Sequence, residues 1–113
     1  MNSDLVEFVE YFNRQAYFEA HDVLEELWLV TRGDRRDFYK GLIQTAVALL
    51  KLQQGKTAPA STLARRAAAH LQNYGPVSEG IDVDLILGWL QDVIHGRNIV
   101  AGGIPLRLEI SAR

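Results

Sequence analysis

Apolar residues recur along most of the chain at intervals of three and four positions, which places their side chains on one face of an α-helix. The first such group is Leu5, Phe8, Val9 and Phe12. The pattern predicts five helices, at about residues 4–13, 17–31, 34–54, 59–73 and 83–95. We therefore expect an all-α fold, a bundle of about five helices in a single domain that covers residues 1–113.

Several helix ends are predicted from single residues. Asp4, with Glu7 three positions later, resembles a capping box for the first helix. Asp34 and Asp82 are the expected N-caps of the third and fifth helices, and Thr57 is a candidate cap for the fourth.

The third helix has a broad apolar arc that includes Leu42, Ile43 and Ala46, which indicates burial on more than one side. Gly41 lies inside this helix, where glycine costs about 1 kcal/mol relative to alanine. We therefore expect a neighbouring helix or a ligand to approach the backbone closely at Gly41.

The C-terminal residues follow a different period. Ile104, Leu106, Leu108 and Ile110 alternate with other residues, as in a strand, and Pro105 restricts that strand to a sheet edge or an unpaired conformation. No second strand is evident in the sequence. The tail, residues 97–113, is therefore predicted to be extended and to lie along the bundle, pair with a second subunit or stay loose, so a homo-oligomer through the tail is possible.

The stretch from position 17 to 28, YFEAHDVLEELW, contains the candidate site. On a helix, His21 and Glu25 lie one turn apart, with Tyr17 and Trp28 continuing the same face. Polar groups on an apolar face need partners. Two interpretations remain open: a mutually satisfied buried pair that fixes helix docking, or polar groups of a small-molecule pocket walled by the two aromatic rings.

Metal binding and nucleophilic catalysis have little support in the sequence. His21 and Glu25 would supply two ligands, and a third would have to come from another helix. Asp92 and His95 form one D-x-x-H, whereas carboxylate-bridged bundles need two such motifs. The chain has no cysteine and no serine in a glycine-flanked elbow. We therefore predict no metal and no cofactor, and the catalytic residues, if any, are unknown.

Composition narrows the class of protein. A hydrophobic fraction of 48% is typical of a soluble globular chain, and a net charge of -2 argues against a nucleic-acid partner. The N-terminus lacks the features of a signal peptide, and no apolar stretch is long enough to span a bilayer. We expect a cytoplasmic protein with no membrane partner.

The pattern H-x-x-x-E-x-x-W at His21, Glu25 and Trp28, followed by Gly-Leu-Ile-Gln at residues 41–44, resembles the family catalogued as domain of unknown function 309. Asp22 departs from that pattern, because the family usually has glutamate there. The resemblance implies a small all-α fold of prokaryotic origin with no established activity. It also implies that His21, Glu25, Trp28 and Gln44 are motif positions.

Together these observations favour a small helical protein that acts as a non-catalytic binding or interaction module for a partner protein or a small ligand. The alternative is a metal-assisted or acid–base enzyme that uses His21 and Glu25. The candidate ligand-binding or structural residues are Tyr17, His21, Glu25, Trp28 and Gln44.

Overall fold

A computed structural model describes residues 2–97 of the chain. This part contains five helices and a two-stranded antiparallel hairpin between the fourth and fifth helices, and it confirms the predicted all-α fold. The elements are α1 (Ser3–Asn13), α2 (Tyr17–Val30), α3 (Asp34–Gln53), α4 (Thr57–Leu71), β1 (Val77–Ser78), β2 (Ile81–Asp82) and α5 (Val83–Ile94).

The helices pack in chain order, each chiefly against its neighbours in sequence, around a common apolar core. Phe12 joins three of them: its ring meets Tyr17 of α2 edge-on at 5.1 Å and stacks on Trp89 of α5 at 5.7 Å. The largest fully buried side chains include Phe8, Phe38 and Leu42. None of the described helices is both long enough and apolar enough to cross a membrane.

The close approach predicted at Gly41 is that of a neighbouring helix. Gly41 is buried on the face of α3 that packs against α4. A Cβ atom added to it would lie 2.5 Å from Leu71 Cγ and 3.1 Å from His70 Cβ. Even an alanine side chain would therefore displace the Leu71 side chain. The glycine lets the side chains of Leu71 and His70 on α4 pack directly against the backbone of α3.

The N-cap of α5 is confirmed, because Asp82 accepts a hydrogen bond from the Leu85 backbone N–H at 2.9 Å. The capping box predicted at Asp4 is wrong. The Asn2 side chain caps α1 instead, accepting from the backbone N–H groups of Asp4 (2.8 Å) and Leu5 (3.1 Å). Asparagine is as good a cap as aspartate, so the local sequence offered two competing starts.

Two further predicted caps lie inside their helices. Asp34 is the first residue of α3, and Gly33, at φ 78°, occupies the cap position without a side-chain bond. Thr57 is the first residue of α4, which therefore starts two residues before the predicted Pro59. The Pro59 ring is tolerated there because it lies within the first turn.

The expectation that no second strand exists is wrong within the described residues, because residues 77–82 form the hairpin. Its turn includes Glu79 at φ 50° and Gly80 at φ 81°, and Ile81 is fully buried. Strands of two residues are too short to show an alternating pattern. The prediction of an extended tail falls on residues that, apart from Arg97, lie outside the described part of the chain.

Candidate functional site

A cleft opens where the end of α2, the first half of α3 and the end of α4 meet. Its volume is about 330 Å³. The residues that line it are Trp28, Gly33, Arg36, Asp37, Lys40 and His70. Three separate helices contribute to the lining because α3 packs against both α2 and α4.

Trp28 forms an aromatic wall of the cleft with two cations beside it. The Arg36 guanidinium carbon lies 3.8 Å from the Trp28 ring centroid, and the Lys40 Nζ lies 4.4 Å from it. Arg36 and Lys40 are four positions apart on α3, so they share one face of the helix. Each makes a cation–π contact with the same indole.

Arg36 also completes the C-terminal end of α2. Its Nη1 donates to the backbone carbonyls of Trp28 (3.1 Å) and Thr31 (3.3 Å). Carbonyls in the last turn of a helix lack intrahelical partners, and a cation also complements the helix dipole there. These two bonds hold the guanidinium over the indole.

The remaining donors of both cations have no acceptor within the described part of the chain. Arg36 Nε and Nη2 make no hydrogen bond there, and no carboxylate lies within 4.0 Å of Arg36 or Lys40. Both side chains are half-buried. The cleft therefore holds two cations that residues 2–97 leave without counter-ions.

The acid in the cleft, Asp37, is engaged with another helix. Its Oδ1 makes a short contact with His70 Nδ1, which links α3 to α4. The Asp37 side chain is half-exposed, and that of His70 is about one-third exposed. This carboxylate is paired with His70 and makes no ion pair within 4.0 Å with Lys40 or Arg36.

Of the five predicted site residues, Trp28 lines the cleft and the other four do not. His21 Nε2 lies 3.5 Å from Glu25 Oε1, and His21 Nδ1 lies 3.2 Å from the Phe18 carbonyl. The two side chains are 20% and 45% exposed, so the expectation of a buried pair is wrong.

The exposure of this pair follows from the orientation of α2. Its buried face is centred on Tyr17, Ala20 and Leu24. His21 and Glu25 each follow one of these residues by a single position, which is about 100° of rotation at 3.6 residues per turn. The pair therefore lies at the edge of the apolar face.

Tyr17 and Gln44 are parts of the packed interior. Tyr17 is buried against Phe12, its hydroxyl has no partner within the described chain, and burial raises its pKa to about 12. Gln44 is half-buried on α3, and its buried Oε1 also lacks a partner among the described residues.

Sequence reasoning missed Arg36, Asp37, Lys40 and His70 as lining residues of a site. The available signal was local: Arg36 and Lys40 are four positions apart on the next helix, and they follow Trp28 by eight and twelve positions. Nothing in the periodic pattern links His70 to Asp37, 33 positions earlier.

Residues 2–97 contain no group of three or more histidine, cysteine or acidic side chains that could hold a metal ion. Asp92, the acid of the D-x-x-H motif, accepts from Arg97 Nε at 2.6 Å. That carboxylate is therefore committed to an arginine at the end of α5.

These features define a small all-α protein with an aromatic, cationic cleft. The profile of the family described as "Domain of unknown function (DUF309)" matches residues 5–63, and the chain belongs to this family. The matched part covers α1, α2, α3 and the start of α4, so it includes Trp28, Arg36 and Lys40 but not His70.

Two curated relatives are described as uncharacterised proteins. A protein of Aquifex aeolicus (strain VF5) is 25% identical over 113 residues, which cover 98% of this chain and 33% of the relative. Protein YpuF of Bacillus subtilis (strain 168) is 34% identical over 88 residues, which cover 75% of this chain and 51% of YpuF. The chain thus spans a third to a half of the relatives it matches, and both come from bacteria, in keeping with the expected prokaryotic origin. No solved structure matches the chain.

Proposed function

We propose that the protein is a non-catalytic binding module that takes a small ligand, or a segment of a partner protein, into the cleft beside Trp28. The observation that carries this proposal is the cleft itself, in which an aromatic wall stands next to donor groups of Arg36 and Lys40 that have no partner in residues 2–97. Ligand sites are concave and use a small number of placed polar or charged groups to fix the orientation of the ligand, which Arg36 and Lys40 can supply beside Trp28.

The size and surroundings of the cleft support this function. Its volume of about 330 Å³ falls at the small end of the range for ligand pockets. Leu29 and Val30, which directly follow Trp28, are 65% and 77% exposed. They give a larger partner an apolar surface at the same end of α2.

The alternative function, a metal-assisted or acid–base enzyme that uses His21 and Glu25, has less support. This pair lies outside the lining of the cleft, and residues 2–97 offer it no third metal-binding side chain. Within the cleft, Asp37 and His70 could exchange a proton, but no serine, threonine or cysteine lines it to serve as a nucleophile.

The proposal extends to the setting of the protein. We infer that residues 1–113 act as one domain, in the cytoplasm, without a nucleic-acid or membrane partner, and that any homo-oligomer forms through the C-terminal tail. The net charge of -2 supports the inference that nucleic acid is not a partner.

The two tryptophans allow a direct test by NMR. Trp28 lies in the cleft, whereas Trp89 is 7% exposed and stacked on Phe12, so the two indole N–H signals report on the site and on the core. A fragment library with acidic, neutral and basic members would be added to ¹⁵N-labelled protein, with Trp28→Phe to assign the signals.

We expect at least one fragment to shift the Trp28 signal saturably while the Trp89 signal stays in place. If no fragment shifts Trp28, or if every active fragment moves both indoles equally, the proposed function is wrong.

A further inference from the structure

We propose that the cleft is an oxyanion site, in which Arg36 and Lys40 hold the carboxylate or phosphate group of a small ligand against Trp28. This inference rests on the proposed function and names the chemical class of the ligand. No family description or relative assigns such a site.

The first argument is electrostatic. Two positive groups lie within 4.4 Å of the same ring centroid, with no carboxylate within 4.0 Å of either in the described chain. Arg36 and Lys40 also lie one turn apart on α3, where like charges repel, and half-burial weakens the screening by water. An anion placed between the two groups turns that repulsion into two attractions.

The second argument is the geometry of the donors. Arg36 Nη1 is anchored to the α2 carbonyls, and Nε and Nη2, along another edge of the planar guanidinium group, have no hydrogen-bond partner among residues 2–97. That edge is the fork that binds a carboxylate or phosphate through two parallel hydrogen bonds. Lys40 Nζ adds a point charge with three donors. Because Arg36 is already held in place, a ligand has little side-chain entropy to remove.

The third argument is the position of the one acid in the lining. Asp37 is turned to His70, so it does not compete for the two cations. Gly33 also lines the cleft, at the start of α3, where the positive end of the helix dipole adds to the same field.

Four small probes of similar shape test the charge requirement. Benzoate and phenyl phosphate carry the two oxyanions, benzamide is the neutral counterpart of benzoate, and benzylamine is a cation. Each would be titrated into the ¹⁵N-labelled full chain at low, constant ionic strength. We expect benzoate, phenyl phosphate or both to shift the Trp28 indole and Arg36 Nε signals saturably, and benzamide and benzylamine to leave them unchanged.

A pair of charge-matched variants tests the residue assignment. Lys40→Gln should weaken binding of the active anion about tenfold or more, because one charge-assisted contact is lost. Lys51→Gln removes the same charge from the same helix outside the cleft and should bind as the wild type does. Circular dichroism confirms that each variant is folded, and Lys40→Arg, which keeps the charge, should retain binding.

The outcomes separate this inference from the proposed function. If benzamide binds at Trp28 as tightly as the anions, or if library fragments bind there but neither anion does, the oxyanion assignment is wrong and the binding function stands. If Lys51→Gln weakens binding as much as Lys40→Gln, the effect is general surface charge and the assignment also fails. If neither the library nor the four probes shift Trp28, both proposals fail.

Discussion

Two adjacent arginines at the start of α3 have opposite surroundings. Arg35 donates to Glu79 through Nε at 2.7 Å, pairs with the same oxygen through Nη2 at 2.7 Å, and lies over the ring of Phe38. Arg36 lies over Trp28 and has no carboxylate partner in residues 2–97. The residue type and the helix position are nearly the same, so the difference comes from what the rest of the chain brings to each side.

The contrast extends along both sides of α3. On one side, which we call the sealed side, the Tyr39 hydroxyl lies 2.9 Å from both oxygens of Glu79, and the Tyr74 hydroxyl donates to the Asp34 carbonyl at 2.6 Å. On the other, the open side, Lys40 and Arg36 keep unused donors beside the cleft. A charge that the fold has already paired holds the structure together, whereas an unpaired charge is available to a ligand.

The largest expected effect is at Gly41, where α3 meets α4. We expect Gly41→Leu to destabilise the protein by about 1–3 kcal/mol, because the new side chain must displace Leu71 in a packed core. Gly88 of α5 is the matched control: a Cβ there meets nothing within 4 Å, so Gly88→Ala should stabilise by up to about 1 kcal/mol. Urea unfolding measures both, and equal midpoints for wild type and Gly41→Leu would contradict the close approach.

The next effect concerns the sealed side. Glu79→Ala removes the acceptor of Tyr39, whose side chain is buried, and leaves that hydroxyl without a partner at a cost of about 1–3 kcal/mol. Glu19→Ala, an exposed acid on α2, should change the unfolding free energy by less than about 0.5 kcal/mol. The Trp28 indole signal should stay in place in Glu79→Ala. Movement of that signal would mean that the two sides of α3 are coupled.

A smaller effect should be visible at alkaline pH. Burial, together with the hydrogen bond and charge of Glu79, raises the pKa of Tyr39 to about 12, and burial alone raises that of Tyr17 to about 12. An unfolded tyrosine ionises near pKa 10, so the folded state favours the protonated phenols. Their contribution is complete below about pH 10 and is lost as the pH rises through about 12.

Urea midpoints measured at pH 8, 10 and 11 check this dependence. The Tyr39→Phe and Tyr17→Phe variants should each lose less stability over that interval than the wild type does. An unchanged slope in both variants would show that other groups cause the alkaline loss.

The smallest effect is expected at the edge of α2. His21 and Glu25 form a partly exposed pair four residues apart, and such pairs contribute about 0.3–0.5 kcal/mol. A double-mutant cycle with His21→Gln and Glu25→Gln measures the coupling directly. A coupling above about 1 kcal/mol would contradict this expectation, because it exceeds what partly exposed pairs contribute.

The helices could be predicted because their signals are local. Intervals of three and four positions between apolar residues determine which face of a helix is buried. The Asp82 cap of α5 is equally local, because its hydrogen bond spans three residues. The tight contact at Gly41 was predictable for a related reason, since a glycine inside a helix is unfavourable unless something comes close.

The hairpin and the cleft depend on distant partners. Glu79 is 44 residues from Arg35, and His70 is 33 residues from Asp37. Periodicity carries no information about such pairs. Trp28 was therefore the one cleft residue that could be predicted, because it is an aromatic residue on the same face of α2 as the other candidate residues. The His21 and Glu25 pair was misplaced because a rotation of one residue separates the centre of a helix face from its edge.

The packing of each helix chiefly on its sequence neighbours has a consequence for how quickly the chain folds. Contacts between neighbours close short loops, and proteins dominated by such contacts fold in microseconds to milliseconds. The Phe12–Trp89 stack joins the first described helix to the last, so it requires the longest loop closure among the ring contacts. We therefore expect helix pairs to assemble progressively from the N-terminus during synthesis, and the docking of α5 on α1 to complete the transition.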